Sequence, residues 1–172
     1  NQVASASKDA SLAKSLTVTG AGYLWYLSFS QTENNAQGGM LANVNLRLAI
    51  SNSIDREALV EDYVMDGSLA TYTAVPPQFA ASATTGADFA ADQDAFADVC
   101  GYNPEKAVEY FNAAVEELGT DTFTFTMIYG NNEGDSVSKV AQAIKSEVEE
   151  NLPGVTINPV SYTHQTLPTI RL

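Results

Sequence analysis

The side chains able to do chemistry are few and poorly spaced for it. The only histidine is His164 and the only cysteine is Cys100. Ser-His or Cys-His catalysis requires a base within hydrogen-bond reach of the nucleophile, oriented by a third group. His164 falls in a C-terminal stretch that reads as foreign, so it is no credible base. A lone cysteine forms no internal disulfide and reads as a small hydrophobe. No Gly-rich phosphate loop follows a strand. Asp88, Asp92, Asp94 and Asp98 cluster, but without the alternating oxygens, central Gly and terminal Glu of a calcium loop. They are read as a solvated acidic loop. Asn131, Asn132, Glu133 and Asp135 read as a capped strand-to-helix turn rather than cation ligands. Glu149 and Glu150 fall at a helix C-terminus, where the macrodipole disfavours them. Solubility is the only account the sequence offers for them. No catalytic residue, metal site or cofactor is therefore expected.

Recognition is the chemistry left. Residues 23–29 read YLWYLSF, an aromatic-rich run bounded by turn residues, which predicts a buried strand. Side chains alternate along a strand, so Trp25 and Leu27 point one way and Tyr26 and Ser28 the other. One reading makes all of these core. The other gives one face to a ligand cleft, with Trp25, Tyr26, Ser28 and Ser30 as the candidate ligand-binding residues.

The elements that must position them have a globular composition. Hydrophobic residues make up 45% of the 172 and charged residues 17%, enough for one domain or a piece of something larger. The formal net charge is -13, and no run of Lys or Arg forms a basic patch. Nucleic acid and anionic lipid are thereby excluded as partners. No apolar run approaches the ~20 residues of a membrane span. The N-terminus shows neither an initiator Met nor a signal pattern, which predicts a processed chain or a fragment.

Along the chain, residues 1–16 form a weak helix or loose lead-in. A short apolar helix is expected over 44–50. A second, capped by Asp55 or Ser53, runs to about Met65 and stops at Gly67, with Ile54, Ala58 and Val64 sharing its buried side. Residues 68–75 are a strand or an extended crossover ending at Pro76-Pro77. Residues 78–101 form a long loop with a helical turn near 94–99. Asn103-Pro104 starts a helix whose stripe is Ala107, Tyr110, Phe111, Ala114, Val115 and Leu118, ended by Gly119. TFTFTMIY over 122–129 is a half-buried strand. Val137, Val140, Ala141, Ile144 and Val148 mark a further amphipathic helix, stopped by Pro153-Gly154, and a short strand follows over 155–160. The fold class is α/β.

Residues 160–172 read VSYTHQTLPTIRL. They resemble the translation of a common sequencing adapter, VSYTHLTLPT, with Gln165 in place of a Leu, and are read as a non-native tail.

Three blocks carry a resemblance. They are the aromatic run ending YLSFS, then NLRLAISNSIDREALVEDYVMDGSLATYTAVPP, then GYNPEKAVEYFNAAVEELG. In this order they resemble the family-5 extracellular solute-binding proteins, the oligopeptide- and dipeptide-binding components of ABC importers. Arg47, Ala49, Asp55, Arg56, Gly67, Val75, Pro76, Pro77 and residues 102–107 fit the family pattern. Ser30 departs from it, standing where the family usually has Asn.

The resemblance implies a fragment of a two-lobed, type II periplasmic-binding-protein-like fold. In it, residues 1–70 belong to the lobe holding the termini. Residues 71–159 are a crossover and the start of the second lobe. It implies a non-enzymatic subunit that captures a peptide outside the cell and delivers it to ABC permease subunits. Membrane association would come only through a lipid anchor missing from this fragment. Arg47, Asp55 and Arg56 would cap helices and form ion pairs. Alternatives keep the fold but change the solute to nickel chelate, haem, an opine or an oligosaccharide, or make the chain an α/β hydrolase. A fragment with uncovered sheet edges is expected to fold poorly alone.

Overall fold

A computed structural model describes residues 5–6, 8–17, 22–32, 39–91, 93–130 and 134–162. Its centre is a βαβ unit. Strand β1 (Phe123–Gly130) and strand β2 (Val155–Tyr162) pair in parallel, in register from Phe123↔Val155 to Gly130↔Tyr162. The crossover between them contains the helix Asp135–Asn151. The Thr-Phe alternation of β1 puts Phe123 and Phe125 in the core and leaves Thr124 and Thr126 exposed. Phe123 stacks on Phe125 at 6.3 Å and meets Phe111 edge-on at 5.8 Å. Burying each such ring stabilises the fold by roughly 2–3 kcal/mol. In β2, Val155 and Ile157 are buried. Pro159, which cannot donate to a ladder, stands opposite Met127 in a two-stranded sheet where both strands are edges.

The helices in chain order are α1 (Val44–Asn52), α2 (Arg56–Leu59), α3 (Gln93–Cys100), α4 (Pro104–Leu118) and α5 (Asp135–Asn151). Asn43 caps α1 by accepting the Leu46 N–H, and Asp55 caps α2 by accepting that of Ala58. Ser53, the alternative cap in the sequence, instead closes the C-terminus of α1. A π-helical turn, Val60–Val64, extends α2 to Met65, whose φ of 52° is left-handed. Ile54 is buried and Ala58 half-buried; Leu59 is the further buried residue here. Asn103 caps α4, with Pro104 in its first turn, and Gly119 ends it at φ 69°. Ala107 and Ala114 are buried on α4, and Tyr110, Phe111, Val115 and Leu118 pack around them. One hydrophobic cluster runs from Leu41, Leu46 and Ile50 through Ala107 and Phe123 to Val148 and Ile157. Residues on both sides of position 70 thus share it.

Three local expectations change. Residues 23–29 take no regular secondary structure and join no β-ladder among the described residues, and Tyr23, Trp25 and Tyr26 are exposed rather than buried. A strand is completed by its partner, and β1 and β2 pair with each other. Only Phe29 of this run packs against the core. The loop over 78–101 contains a two-turn helix, α3, and is closed by an isolated bridge between Ala81 and Asp88. Residues 68–75 are irregular, with bends and no ladder. Of residues 160–172, Val160, Ser161 and Tyr162 complete β2, and the remainder lies outside the described residues.

Candidate functional site

Trp25, Tyr26, Ser28 and Ser30 are all exposed on the segment 23–30, with Trp25 at 53% and Tyr26 at 79%. The Ser30 hydroxyl lies 3.4 Å from that of Thr32. The segment begins at Gly22, with φ 72°. A Cβ there would approach Phe79 Cε2 to 2.5 Å, so the Phe79 ring occupies the space a side chain would fill. Gly22 thus meets both a backbone requirement and a packing one.

Phe79 comes from a tight turn. Its N–H donates to the Pro76 carbonyl at 3.2 Å, Pro77 takes the second position, and Gln78 has φ 63°. Pro followed by a left-handed residue is the type II pattern. Asp88 fixes it: one carboxylate oxygen accepts the Gln78 N–H at 2.7 Å and the other accepts that of Ala90 at 3.0 Å. These bonds, the Ala90 one foremost, hold the Asp88 carboxyl below its usual range. Asp88 therefore organises its loop. Asp94 and Asp98 point to solvent, Asp92 lies outside the described residues, and no metal-holding group of three acids, His or Cys occurs among the described residues. Phe79 was missed in the sequence. An aromatic just after a Pro-Pro pair was the available signal.

The remaining polar groups serve architecture. Arg47 donates to the Leu41 and Ala42 carbonyls at 2.7 and 2.8 Å. Arg56 donates to the Cys100 carbonyl at 3.0 Å and to Ser51 Oγ at 2.8 Å, and its guanidinium lies 5.1 Å from the Tyr72 ring centroid. Neither arginine pairs with a carboxylate among the described residues. The expected ion pairs are replaced by caps on backbone carbonyls, because helix and turn ends leave those acceptors open. Tyr72 donates to Glu57 at 2.8 Å; burial, then this carboxylate, push its hydroxyl up to about 12. Cys100 is half-buried, its thiol donating to the Phe96 carbonyl. Glu149 has a role that the sequence left unexplained: it pairs with Lys145 and accepts the Ile157 N–H at 2.9 Å. Asn131, Asn132, Glu133 and His164 lie outside the described residues. A shallow depression of about 450 Å³ between Phe111, Asp121 and Gly154 lies at the start of β1 and β2. It is a packing notch, since a Cβ on Gly154 would meet Asp121 O at 2.1 Å.

Fold and surface define an α/β unit with an exposed aromatic segment and no catalytic constellation among the described residues. The profile of the bacterial extracellular solute-binding proteins, family 5 (middle), matches residues 1–170, and the chain belongs to that family. It is 26% identical over 136 residues to the oligopeptide-binding protein OppA of Bacillus subtilis (strain 168), covering 77% of this chain and 22% of that one. The substrate-binding domain of an oligopeptide ABC transporter from Bacillus anthracis str. Ames superposes with TM-score 0.61 at 32% identity, over 72% of this chain and 23% of the other. A peptide-binding protein of a peptide ABC transporter superposes with TM-score 0.66 at 31% identity, over 77% of this chain and 56% of the other. The chain thus spans about a fifth of the length of the B. subtilis relative. No helix among the described residues is long and apolar enough to cross a membrane.

Proposed function

We propose that the chain is part of the substrate-binding subunit of an ABC importer, which captures oligopeptides outside the cell and hands them to the permease. The observation that carries this reading is the exposed aromatic segment, 23–30, in a chain of a solute-binding family. Exposed aromatic faces suit a peptide: they take varied side chains, while main-chain bonds give affinity with little sequence demand. Trp25, Tyr26, Ser28 and Ser30 are the proposed contacts. Capture would end in closure of two lobes around the peptide, as hinged binding proteins do. An extracytoplasmic location with a lipid anchor completes the reading.

Thermal-shift titration of the full-length binding protein that contains this chain, with tetra- and pentapeptide mixtures, tests it. A ligand at a hundred times its Kd stabilises by about 2.7 kcal/mol, a readable rise in Tm. A rise with oligosaccharide or nickel chelate and none with peptides would replace the peptide assignment.

A further inference from the structure

We infer that Asp66 is a modification site, at which the chain converts itself to isoaspartate through a cyclic imide with Gly67. Asp66-Gly67 is the only place in the sequence where Asp or Asn precedes Gly. Such a pair can close a five-membered ring between the side-chain carboxyl carbon and an unhindered backbone nitrogen. The fold favours that closure. Asp66 Oδ1 accepts the Ser68 N–H at 2.8 Å, which folds the carboxyl back over its own backbone. The hydrogen-bonded ring of this turn contains Asp66 Cγ and the Gly67 nitrogen, and with them all five atoms of the imide. The donated N–H also draws electron density from Cγ, as an oxyanion-hole donor does. Gly67 stands at φ 91°, a conformation that favours glycine, so no side chain shields its nitrogen. The Gly67 N–H donates to no group among the described residues. Residues 65–69 are all exposed, which gives water access to the imide.

In the first step the Gly67 nitrogen forms a bond to Asp66 Cγ. Oδ2 leaves as water, carrying the amide proton and one from solvent. A second water then adds to the main-chain carbonyl carbon of the imide and breaks its bond to nitrogen. The chain now runs on through Cγ, and the former main-chain carbon becomes the free carboxyl. The backbone is longer by one carbon. Both flanks of this turn are tied. The Met65 N–H donates to the Val60 carbonyl at 2.9 Å, and Tyr72 is held by Glu57 at 2.8 Å and by the Arg56 guanidinium over its ring. A longer turn no longer fits between those ties, so the modification loosens the hold on Tyr72.

The full-length binding protein that contains this chain is aged in warm, mildly acidic buffer made with heavy-oxygen water. The free peptide Val-Met-Asp-Gly-Ser-Leu and the Asp66→Glu variant, whose imide would need a six-membered ring, are aged beside it. Peptide mapping by mass spectrometry is expected to find a transient species one water lighter at Asp66-Gly67, then isoaspartate carrying one heavy oxygen. The folded protein should form it at no less than about a tenth of the peptide's rate. A slower rate means that the fold adds about 1.4 kcal/mol or more to the barrier, and overturns the inference. New isoaspartate without heavy oxygen overturns the imide route. As isoaspartate accumulates, the melting temperature should fall, while that of the Asp66→Glu variant holds. A melting temperature that stays constant, or that falls equally in the variant, overturns the loosening of Tyr72. The rate comparison uses only the unaltered protein and its peptide, so it decides the inference even if the variant does not fold.

Discussion

Glu149 on α5 accepts the backbone N–H of Ile157 in β2 at 2.9 Å, and Lys145, one turn earlier, donates to the Ile157 carbonyl at 2.9 Å. The helix thus satisfies both backbone groups that Ile157 turns to the open edge of its strand. Edge strands are templates for unwanted pairing, and covering one of their polar groups blunts that hazard. The Lys145–Glu149 pair, spaced i,i+4, would be worth little as a surface ion pair. Its value lies in the two strand bonds.

Glu149→Ala should therefore destabilise the chain by about 1 kcal/mol at pH 7, from loss of a hydrogen bond to a strand N–H. The Lys145 and Ile157 bonds lower the Glu149 carboxyl. A lowered folded-state value contributes stability that is present above the unfolded value and lost as pH falls through the folded one. Urea unfolding at pH 7 and pH 3 should show the gap between wild type and variant closing in acid. A gap of equal size at both pH values would remove the carboxylate from the explanation.

Glu147, two residues earlier, should behave in the opposite way. It accepts the Asp55 N–H at 2.8 Å, yet burial raises its carboxyl above the usual value despite that bond. A raised folded-state value gives stability that is fully present below the unfolded value and lost as pH rises through the folded one. Glu147→Gln keeps an acceptor and removes the charge. It should match wild type near pH 3 and exceed it by roughly 0.5 kcal/mol at pH 7, while Glu147→Ala should lose about 1 kcal/mol by stranding the Asp55 donor. Thermal melts across that range decide; a Gln variant less stable than wild type at pH 7 would show the charge to be favourable.

Tyr72 joins the irregular segment after α2 to Arg56 and Glu57. With its hydroxyl pushed up to about 12, its contribution to stability is present below about 10, the ordinary tyrosine value, and is lost as pH rises through about 12. Glu57→Gln removes the acceptor charge and should shift one tyrosine titration toward the ordinary value, read as tyrosinate absorbance against the wild-type curve. Arg56→Lys should cost about 1–2 kcal/mol, because an ammonium replaces neither the forked bonds to Ser51 and Cys100 nor the stacking on Tyr72. An unchanged urea midpoint for Arg56→Lys would mean that a single point charge suffices.

The sequence by itself determined the local elements. Asn103-Pro104 with Gly119 bounded α4, Asp55 or Ser53 marked the start of α2, and Thr-Phe alternation named β1 as a half-buried strand. Caps, turn residues and periodicity act within a few residues of themselves, so one chain displays them without its fold. The family blocks were legible for the same reason. Tertiary structure alone decided which apolar segments become strands, since a ladder needs a partner that local pattern does not specify: 123–130 found 155–162, while 23–29 joined no ladder among the described residues and kept only Phe29 against the core. It also decided what the polar side chains bind. Arg47 and Arg56 went to carbonyls, Glu149 to a strand edge 8 residues away, and Phe79 was brought onto Gly22 across 57 residues of sequence (79 minus 22). Those distances close only when the core does, because the loop entropy they cost is repaid by contacts far apart in the chain.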